Sequence, residues 1–125
     1  MERLILDSSA MLHILQGTGK GQKIAAVIAK QEWLTSIICY CEVLNNVNLD
    51  KQAKAEAFLS KILIFPLTLA EGRLAKQFQD ECRKTGRQVP TLDCLIAATA
   101  ANNNATVITT DADFLRIDGI KKQVF

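Results

Sequence analysis

The sequence predicts an α/β domain in which helices cover both faces of a mostly parallel sheet. Short apolar runs such as residues 3–6 (RLIL) have the length and composition of buried strands. Stretches with apolar residues three and four positions apart, which is the spacing of one helix face, separate these runs. Strands that alternate with helices indicate a parallel sheet in a three-layer α/β/α architecture.

The same patterns predict five strands and six helices. Strands are expected at residues 3–6, 33–37, 62–65, 105–109 and, as a short last element, 123–125, with the third buried and closed by Pro66. Helices are expected at residues 10–16, 22–30, 38–46 and 51–60, then from Thr68 to Gly86, and from Pro90 and Thr91 onward. Residues 17–21 are interpreted as a mobile connection between the first two helices.

The helix that follows Thr68 has the clearest signals at both ends. Thr68 and Glu71 match the T-x-x-E capping box, and basic residues in the last turn precede the terminating Gly86. Four apolar residues at four-residue steps predict its buried face: Ala70, Leu74, Phe78 and Cys82.

Length and composition indicate one domain over residues 1–125. The chain is 49% hydrophobic, enough for an ordinary core, and its charges are dispersed. It contains neither an apolar run of ~20 residues nor a signal-peptide pattern, so we expect a cytoplasmic protein without a membrane span. The single histidine, His13, and the four cysteines do not match zinc-ligand spacing. The histidine is interpreted as structural and the cysteines as small apolar core residues; they are Cys39, Cys41, Cys82 and Cys94.

Three acids occupy positions that a parallel sheet would bring to one edge, and a fourth, Asp93, could reach that edge. Asp7 ends the first strand, Glu42 lies in the helix after the second, and Asp111 follows the fourth. Asp93 lies in the first turn of an alanine-rich helix. Ligands collect at the carboxyl ends of parallel strands, and clustered carboxylates need a cation among them, so the pattern favours Mg²⁺ or Mn²⁺.

Each acid also has a structural interpretation. Asp7, Asp93 and Asp111 suit helix caps or turns, and Glu42, in an otherwise apolar stretch, suits a buried salt bridge. Four such coincidences are less probable together than one shared site.

The charge balance of the chain and the chemistry of a bound divalent ion both indicate a protein that acts on a phosphate backbone. With those four acids and Asp113 set aside, 15 basic residues face eight acids, a balance of +7 that would attract a phosphate backbone. A bound Mg²⁺ can lower the pKa of a water molecule and offset charge on a leaving oxygen, as phosphodiester hydrolysis requires. The hydroxyls of Ser8 and Thr109 are placed to hold a water or a phosphate oxygen.

The chain resembles the PIN domain over nearly its whole length, and more closely the VapC-type toxins of toxin–antitoxin pairs. The matching segments are L-D-S-S-A with Asp7, E-V-L with Glu42, D-C-L-I-A-A-T-A with Asp93, and T-T-D-A-D-F with Asp111. D-C-L-I-A-A is the most specific of them, and the triple asparagine at residues 102–104 replaces a common glycine turn.

The resemblance implies a Mg²⁺- or Mn²⁺-dependent endoribonuclease. Its catalytic and metal-binding acids would be Asp7, Glu42, Asp93 and Asp111, with Asp113 as an auxiliary metal ligand. It also implies a homodimer and a small antitoxin partner that covers the acidic cleft. Four basic residues near the acids are candidates for RNA binding, although a solvated helix end explains the first three equally well: Arg83, Lys84, Arg87 and Arg116.

Two other classes of protein compete with this interpretation. A phosphoacceptor receiver domain would need an acidic pair after the first strand and a late lysine, whereas Asp7 precedes serines and no lysine follows Thr109 directly. A PIN-like protein that only processes or scaffolds RNA, without being a toxin, remains the alternative.

Overall fold

The structure, a computed structural model, describes residues 1–125 and contains one five-stranded parallel sheet. The strands are β1 (Arg3–Leu6), β2 (Glu32–Ser36), β3 (Leu63–Phe65), β4 (Thr106–Thr109) and β5 (Lys121–Val124). Their order across the sheet is β3-β2-β1-β4-β5, and every neighbouring pair is parallel. The predicted fold class is confirmed.

Six α-helices connect the strands. They are α1 (Ser8–Gln16), α2 (Gly19–Ile28), α3 (Ile37–Asn45), α4 (Gln52–Leu59), α5 (Leu69–Lys84) and α6 (Thr91–Asn102). Short 3₁₀ helices occupy Leu49–Lys51 and Ala112–Arg116. No helix is long and apolar enough to cross a membrane.

The strand order fixes where a site can form. From β1 the chain moves outward through β2 to β3, and β4 then returns to the other side of β1. Right-handed crossovers in opposite directions place α1 to α4 on one face and α5 and α6 on the other. The order therefore reverses between β1 and β4, the position at which open α/β sheets bind ligands.

The core lies between the sheet and its two helix layers. It includes fully buried side chains from the central strands, such as Ile5, Leu6 and Val107, and Phe114 from the last 3₁₀ helix. Alanines 97, 98 and 100 are buried along α6, so this helix packs closely against its neighbours.

Three predictions about β3 and α5 were wrong. β3 is not a buried strand: it lies at the sheet edge, where Leu63 is 54% exposed. The buried face of α5 is rotated from the predicted one, because Glu71, Ala75, Phe78 and Cys82 are buried while Ala70 is exposed. The capping box also differs, since the Thr68 hydroxyl donates to Glu71 Oε2 at 2.5 Å and no side chain caps the α5 backbone.

The glycine-rich segment is not the predicted mobile connection. Gly17, with φ +69°, closes α1, and the Thr18 hydroxyl accepts a hydrogen bond from Gly21 N–H at the start of α2. Gly21 is buried so closely that an added Cβ would lie 2.0 Å from the carbonyl oxygen of His13. Glycine here permits the close packing of α1 on α2.

Candidate acidic metal site

Asp7 lies directly after β1, at the end of the sheet where the strand order reverses. It is 4% exposed, and its carboxylate is held from three sides. Oδ1 accepts from Ser9 Oγ at 2.7 Å and from Ala10 N–H at 2.9 Å, and Oδ2 accepts from Thr109 Oγ1 at 2.5 Å. Burial raises the pKa of Asp7 despite these donors, and the charge of Asp111 adds to the rise.

Asp93 lies in the first turn of α6, where the helix N-terminus favours a negative charge. Its Oδ2 atom is buried and has no hydrogen-bond partner. Burial raises the pKa of Asp93 to about 7, and the nearby charges of Asp111, Asp113 and Asp7 contribute to the rise. A half-buried carboxylate among other acids is costly unless a cation is bound there.

Asp111 and Asp113 complete a cluster with Asp93. One carboxylate oxygen from each of the three residues lies within 4.8 Å of the others. Asp111 follows β4 and accepts a hydrogen bond from Asp113 N–H at 2.9 Å, which turns the chain into the last 3₁₀ helix. The one basic group in contact is Arg116, whose Nη1 lies 3.4 Å from Asp113 Oδ1.

These residues fit a divalent ion such as Mg²⁺ or Mn²⁺. All three side chains offer oxygen ligands, no histidine or thiolate belongs to the cluster, and one buried carboxylate oxygen lacks a partner. Three acids exceed the single positive charge of Arg116, so the cluster has a net negative charge that a cation would balance.

Glu42 is not one of the three members of this cluster. It is half-buried on α3, and its Oε1 accepts a hydrogen bond from Ser8 Oγ at 3.3 Å. It forms no salt bridge, so the structural interpretation of this residue as an ion-pair partner is not realised. Burial raises the pKa of the Cys39 thiol, and the charges of Asp7 and Glu42 add to the rise.

The capping interpretation is correct for two acids and does not exclude a shared site. Asp7 caps α1 and Asp111 caps the last 3₁₀ helix, each through one oxygen to a backbone N–H. Asp93 caps nothing, since the N-cap residue of α6 is Pro90. The caps instead hold two of the acids in fixed orientations near the third.

Sequence reasoning missed Ser9. Its hydroxyl donates to Asp7, accepts from Thr110 N–H at 3.0 Å, and lies 3.4 Å from Thr109 Oγ1. Ser9 therefore joins the ends of β1 and β4, whereas Ser8 contacts Glu42. The signal was the second serine after Asp7, which helix geometry turns toward the neighbouring strand.

The predicted basic residues differ in their surroundings. Arg87 pairs with Asp118 at 2.9 Å, and Arg116 contacts Asp113. Arg83 approaches Asp80 only to 3.9 Å, and Lys84 is exposed in the last turn of α5.

His13 and three of the cysteines have the predicted structural roles. His13 Nδ1 lies 2.8 Å from Thr18 Oγ1 beside the α1–α2 junction. Cys39, Cys82 and Cys94 are buried and free. Cys41 is exposed, so its interpretation as a core residue was wrong.

The family model of the PIN domain matches residues 4–120, and the chain therefore belongs to the PIN domain family. Among curated proteins, no sequence matches this chain.

Solved structures of toxin–antitoxin complexes have the same fold. A chain of VapBC2 from Rickettsia felis, bound to a DNA fragment from its promoter, gives a TM-score of 0.82 at 19% identity, with 98% of each chain covered. A chain of DNA-bound VapBC from Salmonella typhimurium gives 0.80 at 21% identity, covering 99% of this chain and 98% of that one. VapC20 of Mycobacterium tuberculosis, a Sarcin-Ricin loop cleaving toxin, gives 0.65 at 15% identity, with 90% and 92% covered.

Proposed function

We propose that this protein is a Mg²⁺- or Mn²⁺-dependent endoribonuclease and the toxin of a toxin–antitoxin pair. The observation that carries the proposal is the cluster of Asp93, Asp111 and Asp113, with an unpartnered buried oxygen on Asp93. Membership of the PIN family and the likeness to VapC and VapBC structures support it.

Asp93, Asp111 and Asp113 would hold the ion, and Asp7 and Glu42 are proposed as the further acids of the site. When bound, a divalent ion lowers the pKa of a nearby water and offsets the charge that develops on the leaving oxygen. Asp7 is suited to a positioning task, because Thr109, Ser9 and Ala10 hold both its oxygens. Ser8 directs its hydroxyl to Glu42 and would orient that carboxylate.

The substrate is proposed to be single-stranded or looped RNA. The half-buried acid cluster joins the start of α6 to the last 3₁₀ helix, and the basic balance of the remaining chain would attract the phosphates of a flexible strand. Tyr40 and Trp33 are half-buried in the core layer, and the Trp33 indole donates to Ile28 O. Neither ring is therefore offered as a base-stacking platform.

The partners are proposed to be a small antitoxin and a second copy of the chain. The antitoxin would cover the acidic edge, as the resemblance to VapC-type toxins implies. Apolar side chains exposed on β3 and at the start of α5 give a surface that a dimer would bury; they are Leu63, Ile64 and Leu69. Sedimentation of the purified chain tests for a dimer.

Cleavage of a mixed single-stranded RNA pool tests the activity. We expect cutting with Mg²⁺ or Mn²⁺, none with a chelator, and none by Asp93→Asn, which removes a ligand charge at nearly constant volume. Asp50→Asn is the matched control, because Asp50 is exposed and lies outside the site. Cleavage by Asp93→Asn at the parent rate would refute the site.

The toxin role needs a separate test. Expression of the parent chain should arrest growth of the host, whereas Asp93→Asn should not, and co-expression of an adjacent small reading frame should restore growth. RNA cleavage without growth arrest would favour the alternative of an RNA-processing protein.

A further inference from the structure

A shallow groove lies beside the acid cluster, at the junction of α5 and α6. It has a volume of about 340 Å³ and is lined by Gln79, Arg83, Arg87, Gln88 and Val89. Two of these five side chains are cationic, two are neutral amides, and none is acidic. The groove therefore presents donors and positive charge without an acid in its lining.

The groove is joined to the proposed site through hydrogen bonds of Arg116 and Gln79. Arg116 Nη1 donates to the carbonyl oxygen of Gln88 at 3.2 Å, and the same guanidinium contacts Asp113 at 3.4 Å. At the other side, Gln79 Nε2 donates to Thr91 Oγ1 at 3.0 Å, at the start of the helix that carries Asp93. Arg116 and Thr91 thus connect the groove residues with the acid cluster.

The groove arginines retain donors for a ligand. Arg83 is 68% exposed and forms no hydrogen bond; its nearest acid, Asp80 at 3.9 Å, is already bonded by Lys76 at 2.6 Å. Arg87 uses two nitrogens, Nε to Thr85 and Nη2 to Asp118. A guanidinium has five N–H donors, and exposed ion pairs contribute only ~0–1 kcal/mol. A phosphate can compete with Asp118 for Arg87.

We propose that this groove binds the phosphate backbone of the RNA strand on one side of the scissile bond. The inference rests on the proposed function and deepens it, because it assigns a direction in which the substrate leaves the acid cluster. Arg83 and Arg87 contact phosphates, the side-chain amide of Gln88 donates to a phosphate or ribose oxygen, and Arg116 connects groove and site. Lys84 does not line the groove and has no part in it.

Equilibrium binding of a labelled single-stranded RNA of mixed sequence, measured over a series of KCl concentrations, tests the groove. All variants carry Asp93→Asn so that the RNA stays intact. Removal of one phosphate-binding side chain should reduce the slope of log K against log salt by ~0.7. We expect Arg83→Gln and Arg87→Gln each to weaken binding about three- to tenfold at low salt and to lower this slope.

A matched control variant separates a contact from net charge. Lys61→Gln removes the same charge at an exposed position just before β3, at the opposite end of the sheet, and should change binding less than twofold. Asp118→Asn frees Arg87 and should strengthen binding. Arg83 has no bonded partner to lose, so Arg83→Gln should fold normally, which its circular dichroism checks.

The outcomes distinguish the groove from the nuclease. If Arg83→Gln and Arg87→Gln bind like Lys61→Gln, the groove assignment is wrong even when the parent cleaves RNA. If their effects appear while the parent cleaves nothing, the groove stands as an RNA-binding surface and the nuclease proposal fails. Absence of any RNA binding overturns both.

Discussion

The hydroxyl of Thr109 lies 2.5 Å from Oδ2 of Asp7 and joins the ends of two neighbouring strands. The same hydroxyl oxygen accepts a hydrogen bond from Asp111 N–H at 2.9 Å, so one threonine contacts both an acid from β1 and the acid that follows β4. Thr109 is fully buried. It therefore couples the geometry of the acid site to the register of the central sheet.

Thr109→Val should show what the Thr109 hydroxyl contributes, because the substitution removes it without changing the shape of the side chain. The substitution keeps the volume but leaves a buried oxygen of Asp7 and the N–H of Asp111 without partners, at a cost of roughly 1–3 kcal/mol. We expect lower stability in urea and weaker Mn²⁺ binding. Thr106→Val, in the same strand but without a side-chain hydrogen bond, is the control. Equal effects of the two substitutions would contradict this role.

Gly21→Ala should destabilise the protein although alanine favours helices. The added Cβ would lie 2.0 Å from the His13 oxygen, which is backbone and cannot move without separating α1 from α2. Overpacking of this kind typically costs ~1–3 kcal/mol. Gly72, in α5, has nothing within 4 Å of the equivalent position, so Gly72→Ala should stabilise the fold by ~0.5–1 kcal/mol. Thermal unfolding of both variants measures whether the first loses stability and the second gains it.

The central strands of the sheet could be predicted because their apolar runs indicate burial and the topology of the sheet does bury them. β1 was placed correctly at both ends, and the acids that follow β1 and β4 converge because these strands are neighbours. The edge position of β3 was not predictable, since an apolar run has the same composition whether it is covered or open. The exposure of β3 depends on whether another strand pairs with its outer edge.

The α1–α2 junction shows a second limit of local pattern. Gly17, Gly19 and Gly21 together suggest a loop, because glycine is unfavourable inside a helix. Of these three glycines, only Gly17 takes a left-handed conformation in the structure. Gly21 is needed because α1 lies too close for a Cβ at this position. A contact between helices cannot be inferred from the residues of one segment.

The cysteines should react very differently with an alkylating reagent. Cys41 is exposed, whereas burial raises the pKa of the Cys39 thiol to about 12 and that of Cys94 to about 11. Thiolates are the reactive form, so the buried groups should remain unmodified in the native protein. Mass spectrometry should find one label on the folded chain and four after denaturation. Protection of Cys41 by Zn²⁺ would contradict its assignment as a free thiol.

Asp93 should make the metal-free protein less stable as the pH rises. Its pKa is about 7 in the folded protein and close to 3.8 in the unfolded chain, so the folded state binds more protons between these values. The stability contributed by protonated Asp93 is complete below pH 3.8 and is lost as the pH rises through about 7. Urea unfolding from pH 5 to 8 with a chelator measures this slope.

The same carboxylate should link protons to metal binding. Mg²⁺ or Mn²⁺ requires ionised Asp93, so the ion should raise the midpoint of unfolding more at pH 8 than at pH 5. Asp93→Asn should reduce the pH slope and abolish most of the metal response, and the slope that remains is due to Asp7, whose pKa burial also raises. Asp50→Asn should retain both effects. An unchanged pH slope in Asp93→Asn would show that Asp93 is not the group that titrates, and an unchanged metal response would remove it from the ligand set.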